Sequence, residues 1–74
     1  MPMRLMPWEA RILLKDIELY RYGCIITKTD GKETEFRRGS VSTFFPNHVV
    51  GMVSTDNHRT GIPYDQIERI EVLK

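Results

Sequence analysis

The fold is decided by CIITKTDGKETEFRRGSVSTFF, residues 24–45. The first six residues are rich in β-branched side chains, which favour strands. Asp30-Gly31 follows, and an Asp-Gly pair between two strand-like runs is the strongest short-range signal for a β-hairpin. Residues 33–45 form a long second run that Gly39 interrupts. Because a glycine inside a strand often marks a bulge or a sharp bend, we predict one second strand that bends strongly at Gly39.

The rest of the chain after this stretch contains three more strand-like segments. They are HVVGMVS (48–54), TGIPY (60–64) and ERIEVL (68–73). Turns are expected at Pro46-Asn47 and at 55–59, and a single helical turn is expected at 65–67. Pro63 limits the hydrogen-bond ladder on one side of its strand.

A helix is expected to precede the strands, over residues 7–22. Pro7 suits the first helical position, because its fixed φ is already helical and its missing N–H is not needed there. Apolar residues recur on one face at Ala10, Leu13, Leu14, Ile17 and Tyr20. Gly23 is expected to form the left-handed cap. Ile12 and Leu19 fall on the opposite face, so the alternative for residues 16–22 is a strand.

Together these elements predict a mainly β chain that forms a single domain, residues 1–74. Residues 1–6 are expected to be a flexible N-terminus, 7–22 a helix and 24–73 a small barrel. The barrel would contain five antiparallel strands, and the strongly bent second strand would let one short sheet curl on itself.

Residues 24–73 resemble small SH3-like and Sm-like barrel domains. The resemblance is carried by Asp30-Gly31, Gly39-Ser40-Val41, Ile62-Pro63, Ile67, Ile70 and Val72. It implies a five-stranded, partly open barrel, and barrels of this kind often extend their sheet into a neighbouring molecule through the fourth and fifth strands.

A weaker likeness is to an archaeal domain family associated with RNA repair. It is carried by Trp8, Arg38-Gly39 and Ile62-Pro63. Asp65 and Gln66 stand where that family has His and Arg, so its function is not inferred for this chain.

Composition restricts the classes of function. The chain has 74 residues and a net charge of +1, so no global field draws it to nucleic acid or membrane. No run approaches the ~20 apolar residues of a membrane span, and the one cysteine indicates a cytoplasmic protein without a disulfide. Cys24, His48 and His58 are too scattered for a metal site. We predict no catalytic site, no cofactor and no small-molecule substrate.

Basic and aromatic side chains suggest a nucleic-acid surface. Phosphate contacts would come from Lys28, Arg37, Arg38, His58 and Arg59, and bases would stack on Phe44, Phe45 or Tyr64. Arg37 and Arg38 point to opposite faces of a regular strand, unless a bulge at Gly39 turns one of them. The alternatives are a solvated strand whose arginines are partnered by acidic neighbours, and two buried phenylalanines.

Protein contacts are the leading functional hypothesis: a non-enzymatic binding module that associates with itself or with another protein. Its candidate interface residues are Met3, Leu5, Met6, Trp8, Pro63 and Tyr64. Trp8 itself is expected to pack the helix onto the barrel, and it joins the interface in the alternative that it is exposed with Met3, Leu5 and Met6. RNA or single-stranded nucleic-acid binding is the second hypothesis, and a small inhibitor or regulator of another protein is the third.

Overall fold

The computed structural model describes residues 5–56 and 58–74. The elements in chain order are α1 (Pro7–Tyr20), β1 (Gly23–Lys28), β2 (Glu33–Phe36), β3 (Thr43–Phe44), β4 (His48–Met52), β5 (Arg59–Pro63), a 3-10 turn (Tyr64–Gln66) and β6 (Ile67–Leu73). They form two three-stranded antiparallel sheets, ordered β2-β1-β6 and β3-β4-β5. The prediction of a mainly β chain with one N-terminal helix is confirmed. The prediction of five strands in one curled sheet is wrong, because the described residues form six strands in two sheets.

The additional strand arises because the predicted second strand is divided. The Ser40 N–H donates to the Arg37 carbonyl at 3.1 Å, which closes a turn, and Gly39 adopts φ +77° within it. This left-handed conformation favours glycine. β2, before the turn, pairs with β1, whereas β3, after it, pairs with β4. The chain changes direction near Gly39, as predicted. The change is so sharp that one strand ends before it and another begins after it.

The two sheets are joined along one side. Phe36 forms a bridge with Val53 just beyond β4. The Arg37 N–H donates to the Met52 carbonyl and the Ser54 N–H to the Glu35 carbonyl, both at 2.9 Å. On the other side, β5 and β6 are consecutive through the 3-10 turn, and no ladder joins them within 5–56 and 58–74. The assembly is therefore not a closed barrel.

The core lies between the sheets and under α1. Its buried apolar residues are Ala10, Leu14, Ile17, Cys24, Ile26, Phe36, Val41, Val49, Ile62, Tyr64 and Ile67. Phe36 packs against Gly51, where an added Cβ would lie 2.9 Å from the Phe36 Cγ. Real Cβ atoms do not approach this closely, so the Phe36 ring occupies space that only glycine leaves open.

The end of α1 differs from the prediction in position and in cap. The helix ends at Tyr20, and Arg21 rather than Gly23 adopts the left-handed conformation, with φ 57° and ψ 37°. The Tyr22 N–H donates to the Ile17 carbonyl at 3.0 Å and the Arg21 N–H to Glu18 at 3.1 Å, the pair of bonds that defines a Schellman cap. The strand alternative for residues 16–22 is wrong, because residues 16–20 are helical. Gly23 instead begins β1, where an added Cβ would lie 2.9 Å from the Phe36 carbonyl oxygen.

The predicted flexible N-terminus lies outside the described residues except for Leu5 and Met6. The Leu5 N–H donates to the Glu68 carbonyl at 3.2 Å, and the Met6 N–H donates to Glu9 Oε1 at 2.9 Å. Through the second bond, the Glu9 side chain reaches back to the residue that precedes α1. The helical turn predicted at 65–67 is present one residue earlier, at Tyr64–Gln66, and Ile67 begins β6.

Candidate nucleic-acid interface

The sheet β3-β4-β5 has one side turned away from the core. Along β4, Val49 and Gly51 are buried, whereas His48, Val50 and Met52 alternate with them and are half-buried. The register places Thr43 and Gly61 opposite Val50, and Arg59 opposite Met52. Directly paired residues share a face. We call this side the outer face; its strand residues are Thr43, His48, Val50, Met52, Arg59, Gly61 and Pro63.

A cavity of about 290 Å³ lies at one end of the outer face. Three of its lining residues are arginines: Arg37, Arg38 and Arg59. The other lining residues are Gly39, Ser40, Ser42, Thr43, Val50, Gly51 and Met52. None of these lining residues carries a carboxylate. The cavity therefore combines guanidinium and hydroxyl donors with a short apolar floor.

The turn at residues 37–40 brings the two adjacent arginines to one cavity. A regular strand would have sent Arg37 and Arg38 to opposite faces. The Ser40 hydroxyl donates to the Met52 carbonyl at 3.3 Å and accepts the Met52 N–H at 3.2 Å, so it ties the turn to β4. Arg37 Nη1 lies 3.9 Å from Met52 Sδ. These bonds to β4 therefore fix the backbone of the turn that carries Arg37 and Arg38.

An aromatic pair lies toward the other end of the outer face. The Phe45 and His48 rings are stacked, with centroids 4.6 Å apart and planes 9° from parallel. The Phe45 N–H donates to the His48 carbonyl at 2.9 Å, so these residues flank the Pro46-Asn47 turn. Phe45 is 43% exposed. Met52 is four positions after His48 along β4, which corresponds to about 13 Å at strand spacing.

The other two predicted stacking residues point toward the core. Tyr64 is 4% exposed, and its hydroxyl donates to the Phe45 carbonyl at 3.2 Å. Burial raises the pKa of Tyr64, and the nearby Arg11 guanidinium partly opposes that rise. Phe44 is half-buried against the core, with Lys15 Nζ 4.3 Å from its ring centroid. The buried Tyr64 ring cannot stack a base in this arrangement, and the Lys15 ammonium lies over the half-buried Phe44 ring.

Lys28 and His58 are separated from the arginines. Lys28 ends β1 at the β1–β2 hairpin and does not line the arginine cavity. His58 lines a different cavity, of about 450 Å³, together with Glu33, Glu35 and Asp56. Its Nδ1 lies 3.6 Å from Asp56 Oδ2. These carboxylates make the second cavity unsuitable for phosphate.

Of the predicted nucleic-acid residues, the structure therefore brings Arg37, Arg38 and Arg59 to one cavity and places Phe45 toward the other end of the same face. It adds His48 and the hydroxyls of Ser40, Ser42 and Thr43, which were not predicted. A signal for His48 was present: residues on either side of a two-residue turn are paired, and Pro46-Asn47 was expected to be a turn. The hydroxyls had no such signal, since their position depends on the turn at Gly39.

The predicted protein-interface residues are distributed over several surfaces. Met3 lies outside the described residues. Met6 and Trp8 are 54% and 63% exposed at the start of α1, so Trp8 does not pack the helix onto the sheets. Leu5 is partly buried against the core, Pro63 is half-buried on β5, and Tyr64 is buried.

In the described part of the chain, no group of three or more His, Cys, Asp or Glu side chains could hold a metal ion. None of the helices within that part is long and apolar enough to cross a membrane. No family model matches the chain, and no curated protein or solved structure matches it significantly.

Proposed function

We propose that the outer face binds single-stranded nucleic acid, with RNA as the first candidate. The observation that carries the proposal is the convergence of Arg37, Arg38 and Arg59 on one cavity whose lining includes no carboxylate. A net charge of +1 for the chain conceals this local excess of positive charge. The fold would act as a small SH3-like or Sm-like binding module without catalytic activity.

Phosphate is the chemical group that best fits the cavity. Guanidinium groups present planar, paired N–H donors that match phosphate oxygens, and their charge persists at all physiological pH values. The neighbouring Ser42 and Thr43 hydroxyls can donate further hydrogen bonds to the same oxygens. These contacts carry no base information, so they predict affinity for the backbone rather than for one sequence.

The stacked pair at the other end of the outer face favours a single strand over a duplex. An unpaired base can stack on the exposed Phe45 ring, whereas bases in a duplex are covered by their neighbours. Gly61 lies between the arginine cavity and the Phe45–His48 pair, and the His48 ring leans over it, since an added Cβ would lie 3.0 Å from His48 Cδ2. An extended strand could therefore place phosphates at the arginines and a base at Phe45.

Fluorescence anisotropy with labelled 12-nucleotide RNA, single-stranded DNA and duplex DNA tests the proposal. Three phosphate contacts predict a slope of about −2 in log K against log salt, which is roughly a 20-fold loss between 50 and 200 mM salt. Phe45→Ala should weaken single-strand binding by about 5- to 100-fold. Arg59→Ala should weaken it and reduce the salt slope by about 0.7.

The matched control is Arg69→Ala, which removes an exposed arginine from β6, away from the arginine cavity. It should leave the affinity nearly unchanged. Absence of binding at 50 mM salt would disprove the proposal, as would equal losses in Arg59→Ala and Arg69→Ala.

Self-association through a strand edge is the second candidate function, and the geometry of β5 supports it. The Val53 N–H donates to the His58 carbonyl at 2.9 Å and the Tyr64 N–H to Asn47 at 3.0 Å. Bonded pairs alternate along an antiparallel ladder, so Thr60 and Ile62 bond to β4. Arg59, Gly61 and Pro63 then direct their backbone groups away from β4, toward an edge at which the topology of residues 5–56 and 58–74 places no further strand.

Amide hydrogen exchange tests this edge directly. If β5 pairs with a second molecule, protection of the Gly61 amide should increase with protein concentration. The Thr60 amide, which bonds within the sheet, is the control and should be protected at every concentration. Exchange of Gly61 at the rate of an exposed amide, even at millimolar protein, would exclude this edge as an interface. Inhibition or regulation of another protein stays a prediction that no observation here favours.

A further inference from the structure

One side of α1 carries an exposed apolar stripe that the core does not use. Trp8, Ile12 and Leu19 are 63%, 56% and 70% exposed. At about 100° per residue they lie together, directly opposite the buried Ala10, Leu14 and Ile17. Three large apolar side chains grouped on the outside of a short helix indicate a contact surface rather than isolated exposed residues.

The stripe follows the spacing of a coiled coil. Residues 8, 12 and 19 are separated by four and seven positions, which corresponds to d, a and a of a heptad repeat. Lys15 occupies the intervening d position, and its ammonium lies 4.3 Å from the Phe44 ring centroid, to one side of the stripe. Arg11 then occupies a g position and Asp16 an e position, both exposed and on opposite flanks.

The charges on the two flanks favour one orientation of a second copy. In a parallel pair, a g residue meets the e residue five positions later in the other helix. Arg11 would therefore meet Asp16 of the second copy, and symmetry would form this ion pair twice. In an antiparallel pair each flank meets itself. Glu9 would lie beside Asp16 of the second copy, which is repulsive, and Arg11 would lie beside Glu18, which is attractive, so the two contributions oppose each other and the parallel pair keeps the larger net attraction.

We propose that α1 is a homodimerisation helix, in which two copies pack in parallel through Trp8, Ile12 and Leu19. Arg11 of each copy pairs with Asp16 of the other. The inference does not depend on nucleic-acid binding or on the β5 edge. Two heptads bury less than the ~1,200 Å² of a standard interface, so we expect a micromolar or weaker dimer.

Analytical ultracentrifugation from 1 to 500 μM tests association and the surface used. The native chain should show a monomer–dimer equilibrium, and Ile12→Glu should raise its dissociation constant at least about tenfold. Thr55→Glu is the control, since it adds the same charge at an exposed position outside α1 and should leave the equilibrium unchanged. A monomeric native chain at 500 μM would overturn the proposal, as would an Ile12→Glu dimer of native strength.

Charge reversal at position 16 tests the orientation, because it should weaken a parallel dimer and strengthen an antiparallel one. In the parallel dimer, Asp16→Arg faces Arg11 and should weaken association by about two- to fivefold. Adding Arg11→Asp should then restore the native value. In an antiparallel dimer, Asp16→Arg would face Glu9 and strengthen association, which would overturn the parallel arrangement.

Cross-linking gives a second measurement that does not depend on charge. In the parallel dimer, Ile12→Cys places two thiols at one a layer, and mild oxidation should trap a covalent dimer. Native Cys24 is buried and should not compete. Failure of Ile12→Cys to cross-link, at concentrations where ultracentrifugation detects its dimer, would exclude the parallel arrangement.

Discussion

Cys24 is fully buried, and burial raises the pKa of its thiol to about 12 because the low-polarity interior disfavours the thiolate. An unfolded chain ionises this thiol near its ordinary pKa of 9.0. The raised pKa means that the thiol makes no pH-dependent contribution below pH 9. Between pH 9 and 12 the unfolded state loses the proton, so the free energy of unfolding should fall by up to about 1.4 kcal/mol per pH unit.

Urea unfolding at pH 8, 9 and 10 measures this effect, with Cys24→Ala as the comparison. The variant is expected to be less stable at pH 8, yet to lose less stability between pH 9 and 10, because other groups titrate equally in both chains. Parallel pH profiles for the two proteins would contradict the prediction. The native thiol should also resist modification by an aromatic disulfide reagent at pH 8 until urea unfolds the chain.

Gly51 shows, at the same scale, what sequence patterns could not reveal. Within HVVGMVS it looks like a weak point in a strand, and nothing nearby in the sequence explains it. The explanation is Phe36, 15 positions earlier, whose ring fills the space beside it. A small residue matched to a distant large one leaves no local signal, because the two meet only after the sheets join.

The cap of α1 is an element-scale feature with a measurable cost. Arg21 carries a side chain in the left-handed conformation, which disfavours residues with a Cβ by roughly 1 kcal/mol. Arg21→Gly should therefore raise the free energy of unfolding by about 0.5–1 kcal/mol, less the entropy that glycine adds to the unfolded chain. Arg21→Ala is the control, since it removes the charge and keeps the Cβ. Equal stability of the two variants by urea unfolding would show that the cap carries no such cost.

Elements with local signals could be predicted from the sequence. Pro7 marked the helix start, Asp30-Gly31 the first hairpin, and the helical turn before the last strand was also expected. The division of the second strand could not be predicted. A glycine at position 39 is compatible with a bend or with a break, and the choice depends on which partner each half finds: β1 for one and β4 for the other.

At the scale of the whole molecule, the candidate site could be predicted only in part, for a related reason. Charge and aromaticity identified the arginines and Phe45, but gave equal weight to Lys28, His58 and Tyr64. Only the three-dimensional arrangement distinguishes these groups. It places His58 among carboxylates and Tyr64 in the core, while the turn at 37–40 brings Arg37 and Arg38 to one cavity.

The join between the two sheets has a consequence for how the molecule moves. Among residues 5–56 and 58–74, a short backbone contact around Phe36 and Val53 joins the halves on that side, and the arginine cavity adjoins it. Local opening there breaks fewer hydrogen bonds than opening either sheet, so its free-energy cost is lower than that of global unfolding. We expect the cavity to widen when this contact opens. An anion bound to both Arg37 and Arg59 would link the two halves and oppose this opening.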